Sequence, residues 1–141
     1  MSSDVALWQQ VLAAEHAAIW GFGLVGATQP LALPAAAELD DHRSRRTRCA
    51  DAIVALNAEP VSSAVAYDIS KPRSTQEAQD LAADLDEACT VAYAALAGAD
   101  QRIARLQAST WLRETTIAIW AWSDDVLALP GIDQNSQTGD G

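Results

Sequence analysis

Hydrophobic and polar residues repeat along this chain with the period of an amphipathic helix, in stretches separated by segments that contain proline or glycine. The first predicted helix begins at Ser3 or Asp4, either of which can cap exposed backbone N–H groups, and extends to about Ala27. The second begins at Pro34, which suits the first turn of a helix, and ends near Asn57. Two more helices follow and no stretch indicates a strand, so the pattern predicts an all-α protein.

The third and fourth predicted helices form a hairpin. The third opens with the capping-box sequence Ser74-Thr75-Gln76-Glu77 and ends at Gly98. The fourth follows after a very short turn, so these two helices should be antiparallel. The residues expected to face the core are Ala78, Leu81, Leu85, Ala88, Ala92 and Ala95 on the third helix, and Ile103, Leu106, Thr110, Arg113 or Glu114, Ile117 and Trp120 on the fourth.

The segment 58–73 connects the second helix to the third and contains two prolines. Fully extended it reaches about 50 Å, whereas a helix of ~24 residues is only about 36 Å long. The segment can therefore cross the whole bundle, with Tyr67, Val65 and Ile69 holding it to the surface, and make helices two and three parallel. We predict an up-down-down-up four-helix bundle over residues 1–131 and a flexible tail over 132–141.

Three glycines, Gly21, Gly23 and Gly26, fall inside the first predicted helix in a G-x-G-x-x-G pattern. That pattern binds dinucleotides when a strand precedes it and a helix begins at the glycines. Because the preceding residues predict helix, we do not expect nucleotide binding. The glycines indicate either close approach of a neighbouring helix or a helix that ends one turn early.

The net charge and the two cysteines indicate which partners and which cellular compartment to expect. The net charge is −10 and the pI about 4.3, so the chain should repel phosphate backbones and we expect no nucleic-acid partner. The uncharged run 17–37 is interrupted by Pro30 and Pro34, which argues against a membrane span. Cys49 and Cys89 lack metal-ligand spacing and are expected to be buried free thiols, typical of a cytoplasmic protein.

Ionisable side chains stand on the apolar faces of the first two helices. Glu15 shares a face with large apolar residues, and His42 and Arg46 share another. Burying such groups costs several kcal/mol unless they find partners. We therefore predict a buried polar layer in which Arg46 pairs with Glu15 or Glu114.

A set of motifs extends over nearly the whole chain. It comprises Glu15-His16-Ala17-Ala18 with Gly23 and Gly26, His42-Arg43-Ser44-Arg45-Arg46, Tyr67, Leu85-Asp86-Glu87 with Cys89 and Tyr93, Trp122, and Pro130-Gly131. In this order and spacing the motifs resemble an uncharacterised ferritin-like family of small, alanine-rich bacterial proteins. The resemblance implies a ferritin-like four-helix bundle. It implies no activity, because that family has no established one.

Ferritin-like oxidases suggest one test of the polar layer. They hold two metal ions with a Glu from each of two helices and a Glu-x-x-His pair from each of the other two. Glu15 and His42 fit this pattern, but Leu39 stands three residues before His42, and Glu114 is followed three residues later by Ile117. Too few ligands remain for a two-metal centre.

Two functional hypotheses follow. The preferred one is a non-catalytic ferritin-like scaffold without a cofactor, which serves as a binding or interaction protein. The alternative is a degenerate oxidoreductase of the ferritin-like class that holds one iron or manganese ion on Glu15, His42 and Glu114. The candidate residues of the layer are Glu15, His16, His42, Arg46, Glu87 and Glu114.

The remaining charged and aromatic residues suggest surface roles. Asp84, Asp86 and Glu87 are expected to form a solvated acidic face on the third helix. Trp111 and Trp122 lie off the predicted inward face of the fourth helix. These tryptophans either form a subunit contact or cover the crossover segment. We expect a homodimer through helix four or helix one and no membrane partner, and the sequence does not indicate whether a small molecule binds.

Overall fold

The computed structural model describes residues 3–123, which form four helices and, within that range, no strand. The predicted all-α class is confirmed, whereas the predicted boundary at residue 131 and the tail lie outside the described residues. None of the helices in this range is long and apolar enough to cross a membrane. The helices are α1 (Ser3–Gly26), α2 (Ala32–Ala55), α3 (Thr75–Leu96) and α4 (Arg102–Ser123).

Helix ends are set by short-range chemistry. The side chain of Ser74 accepts a hydrogen bond from the backbone N–H of Glu77 at 3.1 Å, as the predicted capping box requires. Glu77 returns a hydrogen bond one residue earlier than expected, accepting from the backbone N–H of Arg73 at 2.8 Å. After α2, Asn57 adopts a left-handed backbone with φ of 61°, which asparagine tolerates well.

Contacts between the ends of the bundle fix the directions of the helices. The carboxylate of Asp4, in the first turn of α1, accepts hydrogen bonds from the backbone N–H groups of Asp100 and Gln101 at 2.8 and 2.9 Å. At the opposite end, the Thr75 hydroxyl donates to the Gln29 carbonyl at 3.5 Å. The start of α1 thus lies beside the end of α3, and these helices are antiparallel. Since short turns join α1 to α2 and α3 to α4, helices α2 and α3 are parallel.

The core is built around α1, which packs against α2 and α3, while α4 packs against α3. Aromatic side chains join α1 to α4: the rings of Trp8 and Trp111 meet edge to face at 6.2 Å. Leu85 of α3 packs directly against Gly21 of α1, because a Cβ there would lie 2.5 Å from a methyl carbon of Leu85. The predicted close approach is confirmed at this glycine, whereas Gly23 has open space beside it.

On α3 the predicted inward face is confirmed at Ala78, Leu85 and Ala92 but is wrong at Ala88 and Ala95, which are exposed. The face predicted for α4 is wrong, and Trp111 and Trp122, expected off the inward face, are buried. On α4 the residues expected inside are exposed, with Trp120 at 71% and Ile117 at 64% of full accessibility. Alanine lines the inward face, so the spacing of the large apolar residues follows the outward face instead. The buried residues are Ala78, Ala82, Leu85, Asp86, Cys89, Ala92, Tyr93 and Leu96 on α3, and Ala104, Ala108, Trp111, Thr115 and Trp122 on α4.

The segment between α2 and α3 lies against the outer side of α1. The Gln9 side chain binds it twice, donating to the Glu59 carbonyl at 2.7 Å and accepting from the Val61 N–H at 2.8 Å. Further along, the rings of Tyr67 and Trp20 lie 5.9 Å apart. The predicted role in holding this segment to the helices is confirmed for Tyr67 and for Ile69, which packs against the core, but is wrong for Val65, which is fully exposed.

Candidate functional site

Buried ionisable and hydroxyl side chains meet near the middle of all four helices, and we call this group the polar layer. Apolar neighbours on the same helical faces hold these groups inside; Glu15, for example, stands between the buried Leu12 and Phe22 on α1. The members of the polar layer are Glu15 from α1, Glu38, His42 and Arg45 from α2, Asp86 and Tyr93 from α3, and Glu114 and Thr115 from α4.

His42 lies at the centre of the layer and contacts carboxylates on both sides of its ring. Its Nδ1 is 2.5 Å from Glu15 Oε2, and its Nε2 is 3.0 Å from Asp86 Oδ1 and 3.7 Å from Glu38 Oε2. Burial alone would lower the pKa of His42, but the hydrogen bonds to Asp86, Glu15 and Glu38 raise it to about 11. The ring, stacked on Phe22 at 5.2 Å, is therefore an imidazolium that donates from both nitrogens.

Both oxygens of the Glu15 carboxylate have partners. Oε2 accepts from His42, and Oε1 accepts from the Tyr93 hydroxyl. Burial raises the pKa of Tyr93, and the charge of Glu15 raises it further, so the phenol keeps its proton as the donor. Glu15 is therefore a fully satisfied acceptor, although it is completely inaccessible to solvent.

Arg45 provides a second cation and links α2 to α3 and α4. Its guanidinium donates to the Tyr93 hydroxyl at 3.2 Å, to Thr115 Oγ1 at 3.0 Å and to Glu114 Oε2 at 2.9 Å. The same group lies 5.6 Å from the centre of the Tyr93 ring and 6.0 Å from that of Trp111. Because a guanidinium stays charged in proteins, Arg45 is a permanent positive charge inside the bundle.

The opposite edge of the layer contains two carboxyl oxygens that lack hydrogen-bond partners among the described residues, Asp86 Oδ2 and Glu38 Oε2. Burial raises the pKa of Asp86 to about 8, so this carboxyl is largely protonated at neutral pH. Burial also opposes ionisation of Glu38, but the neighbouring His42 and Asp86 outweigh it and lower the pKa of Glu38. The Asp86 side chain is inaccessible, whereas that of Glu38 is 15% exposed.

The structure brings together some of the residues predicted from the sequence. Glu15 and His42 are in direct contact. The prediction that Arg46 is the cation of the layer is wrong. Arg45 occupies that position, and Arg46 is half-buried one residue further along α2. Both arginines are within three or four residues of His42, so helical spacing alone could not distinguish them. Glu114 enters through its ion pair with Arg45 and is 53% exposed.

Two other predicted candidates lie outside the polar layer. His16 is half-buried, with Nε2 3.0 Å from the Val61 carbonyl, and Glu87 is exposed on α3. Asp86 is the opposite case. It was predicted to belong to a solvated acidic face, but it is completely buried. Its spacing from Cys89 and Tyr93, which share its buried face, was the signal that could have identified it.

Two groups of described residues bring three metal-ligand atoms within 4.8 Å of one another: Glu15, His42 and Cys89, and Glu38, His42 and Asp86. The predicted set of Glu15, His42 and Glu114 is not assembled, because the Glu114 carboxylate binds Arg45. A ferritin-type two-metal centre does not fit either. Both sets of three ligands share the imidazole of His42, and the guanidinium of Arg45 occupies the other side of the layer.

Comparisons with known proteins identify a family but no activity. Residues 7–134 match the family described as "Domain of unknown function (DUF4439)". Among solved structures, the chain is similar to a conserved hypothetical protein, rv2844, from Mycobacterium tuberculosis, with a TM-score of 0.81 and 28% sequence identity, over 86% of this chain and 97% of that chain. No curated protein matches. Because the family match covers most of its length, the chain belongs to the DUF4439 family.

Proposed function

We propose that this protein is a ferritin-like four-helix scaffold that binds rather than catalyses, and that its own His42 and Arg45 neutralise the carboxylates of the polar layer. Two helical hairpins joined by a long crossover support the ferritin-like assignment, because that connectivity is characteristic of the class. The segment between α2 and α3 provides the crossover, and the contacts at both ends of the bundle agree with it.

The observation that carries this proposal is the double hydrogen bond of His42. One imidazolium donates to Glu15 through Nδ1 and to Asp86 through Nε2. A positive charge therefore already occupies the place where a ferritin-like oxidase needs its metal ions. Because Glu15, His42 and Asp86 are inaccessible to solvent, a substrate has no direct route to them in this conformation.

The charges of the layer nearly balance without help from outside. His42 and Arg45 are cations, Glu15, Glu38 and Glu114 face them as carboxylates, and protonated Asp86 adds no charge. Buried ions are tolerated when they are paired and hydrogen-bonded in this way. We therefore propose that the bundle folds without a cofactor.

The contacts of Glu15 and Glu114 favour this proposal over the iron or manganese oxidoreductase expected as the alternative. A metal held by Glu15, His42 and Glu114 would need the oxygens that now bind His42, Tyr93 and Arg45. Opening those hydrogen bonds would bring the charge of the metal close to Arg45 and remove the carboxylate partner of that guanidinium.

Removal of metal tests the scaffold directly. Protein treated with a strong chelator should keep its helical circular dichroism and its midpoint of urea unfolding, because His42 and Arg45 supply the required charge. Readdition of iron or manganese should produce no oxidase activity. Loss of cooperative unfolding after chelation, or metal-dependent oxidation of a substrate, would overturn the proposal.

We also propose that the outer face of α4 joins two copies of this chain. Large apolar side chains on that face are exposed by 50 to 71%, and such patches mark interaction sites. In an antiparallel α4 pair, equal sequence spacing places Ile103 opposite Trp120 and Leu106 opposite Ile117, so the face is complementary to itself.

Light scattering at micromolar concentration tests this contact, with a dimer expected for the natural sequence. The double substitution Ile117→Ser and Trp120→Ser should yield a monomer that melts at the same temperature. Val91→Ser, which changes a residue 71% exposed on α3, is the matched control and should stay dimeric. A monomeric natural protein, or a dimer that survives the double substitution, would contradict the proposal.

The two cysteines support a reducing compartment. Cys49 and Cys89 are both buried free thiols. Disulfides are rare in the cytoplasm and common in oxidising compartments. We therefore propose a cytoplasmic location, which fractionation of the producing cells would test.

A further inference from the structure

Two oxygens at one edge of the polar layer point to a missing ligand. Asp86 Oδ2 and Glu38 Oε2 are buried and have no hydrogen-bond partner among the described residues. Leaving a buried polar atom without a partner is costly, so such atoms usually bind water or an ion. Both carboxyl groups flank the same ring nitrogen, His42 Nε2, at 3.0 and 3.7 Å.

The other side of the His42 ring has the partner that metal-binding histidines require. A histidine that ligates a metal through one nitrogen usually donates its second N–H to a carboxylate, which fixes the tautomer and the ring orientation. Glu15 accepts from Nδ1 at 2.5 Å and fulfils this role, and the stacking on Phe22 holds the ring plane. Once Nε2 loses its proton, its lone pair faces Glu38 and Asp86.

We propose that His42 Nε2, Glu38 and Asp86 bind one divalent first-row transition-metal cation. The inference goes beyond the proposed scaffold function, in which His42 and Arg45 neutralise the carboxylates when no metal is bound. The proton on Nε2 and the proton held by Asp86 leave to solvent as the cation enters, and no electron is transferred. The layer gains two positive charges from the metal and loses the two protons, so its net charge is unchanged.

The neighbouring group of Glu15, His42 and Cys89 is the weaker candidate. Both oxygens of Glu15 are already engaged, and the Cys89 thiol is directed to the Ala14 carbonyl at 3.8 Å. Burial also raises the pKa of Cys89, which keeps the thiol protonated, whereas metals bind the thiolate. Glu38, by contrast, is 15% exposed and gives the preferred site a route to solvent.

The donor set indicates the class of metal. One imidazole nitrogen with two carboxylates suits Zn²⁺, Fe²⁺, Co²⁺ or Mn²⁺, and disfavours Mg²⁺, which prefers oxygen ligands alone. Three protein ligands leave coordination positions that water can complete. Zn²⁺ is the most practical probe because it has no redox chemistry, and Co²⁺ reports coordination geometry by its visible absorption.

Calorimetric titration of the chelator-stripped full-length chain with Zn²⁺ tests the site. We expect one Zn²⁺ per chain with release of protons, measured as a dependence of the apparent enthalpy on the ionisation enthalpy of the buffer. Mg²⁺ at the same concentrations should produce no heat beyond dilution. No Zn²⁺ binding to a chain that remains folded overturns this inference and leaves the scaffold proposal intact.

Matched variants locate the cation. Glu38→Gln and Asp86→Asn should each weaken Zn²⁺ binding by more than about tenfold, and Glu15→Gln by about 10- to 100-fold, since it removes only the partner of the second ring nitrogen. Asp84→Asn, on the exposed side of α3, is the control and should bind as the natural protein does.

Melting curves recorded without metal show whether each variant folds. Should Asp86→Asn fail to fold, Glu38→Gln carries the test, because Glu38 lies at the accessible edge of the layer. Equal Zn²⁺ affinity in Glu38→Gln and in the natural chain would place the metal elsewhere and overturn the proposal. Co²⁺ spectra that change in Glu38→Gln but not in Asp84→Asn would support it.

Discussion

Glu15 on α1 and His42 on α2 form a hydrogen bond of 2.5 Å between Oε2 and Nδ1, and neither residue is accessible to solvent. Each group stabilises the other in its buried position. The carboxylate would be costly inside an apolar bundle, and the imidazolium would lose its proton there, but together they form a compensated pair.

Removing the charge of Glu15 should therefore destabilise the protein strongly. We expect Glu15→Ala to lower the free energy of unfolding by about 3–5 kcal/mol, because the buried His42 and Tyr93 both lose the carboxylate that accepts their hydrogen bonds. Urea denaturation followed by circular dichroism measures the effect. The exposed Glu87→Ala should change the free energy by no more than about 0.5 kcal/mol, and similar losses in both variants would contradict the assignment.

Adjacent arginines give a sharp test of which cation enters the layer. Arg45→Met should lower the free energy of unfolding by about 3 kcal/mol, since Tyr93 and Thr115 lose a charged donor; little of this loss comes from Glu114, which is 53% exposed. Arg46→Met should cost less than about 1 kcal/mol. Chemical denaturation of both variants measures the difference, and the reverse order of stabilities would show that Arg46 is the internal cation.

The polar layer also makes the free energy of unfolding depend on pH, in a direction that follows from its pKa shifts. The pKa of His42 is raised from 6.5 to about 11, so the stabilisation it provides is complete below pH 6.5 and is lost as the pH rises towards 11. Burial raises the pKa of Asp86 from 3.8 to about 8, so rising pH through that interval also destabilises the folded state. The lowered pKa of Glu38 has the opposite effect on stability. Its contribution is lost as the pH falls below 4.5, the ordinary pKa of this group.

We therefore expect the free energy of unfolding to decrease steadily between about pH 5.5 and pH 8.5. Urea titrations at constant ionic strength, with chelator present, measure this slope. Solutions above that interval should be avoided, because Cys49 and Cys89 then ionise in the unfolded chain and add to the loss. Stability that is constant or increases over the interval would contradict the charge states assigned to His42 and Asp86.

Two glycines of α1 should respond in opposite directions to the same substitution. Gly21→Ala introduces a Cβ 2.5 Å from a methyl carbon of Leu85, and the displacement of that side chain should cost about 1–3 kcal/mol. Gly23→Ala meets nothing within 4 Å and should stabilise the helix by about 0.5–1 kcal/mol. Thermal melts measure both, and an equal effect at the two positions would contradict the close approach of α1 and α3.

The helices and their connections could be predicted because their signals are local. Ser74 and Glu77 mark the start of α3 through a capping sequence, and the prolines around α2 and the crossover interrupt helical periodicity. Glu15 and His42 could be recognised for a related reason. Each is a single ionisable residue among large apolar neighbours, and helical spacing shows that such a residue faces inward.

The inward faces of α3 and α4 could not be predicted in the same way. Alanine occurs on every side of both helices, so the large apolar residues dominate the visible periodicity, and on α4 these include the exposed Ile117 and Trp120. Asp86 was hidden for the same reason, between the exposed acids Asp84 and Glu87. Only the packing of all four helices distinguishes the buried acid from its neighbours.

The two backbone hydrogen bonds that Asp4 accepts join residues 96 and 97 positions apart in the chain. Asp4, in the first turn of α1, thereby holds the turn between α3 and α4, which belongs to the other hairpin. Contacts of such long sequence separation form late during folding. The start of α1 therefore gains these two hydrogen bonds only after the turn that follows α3 has been synthesised.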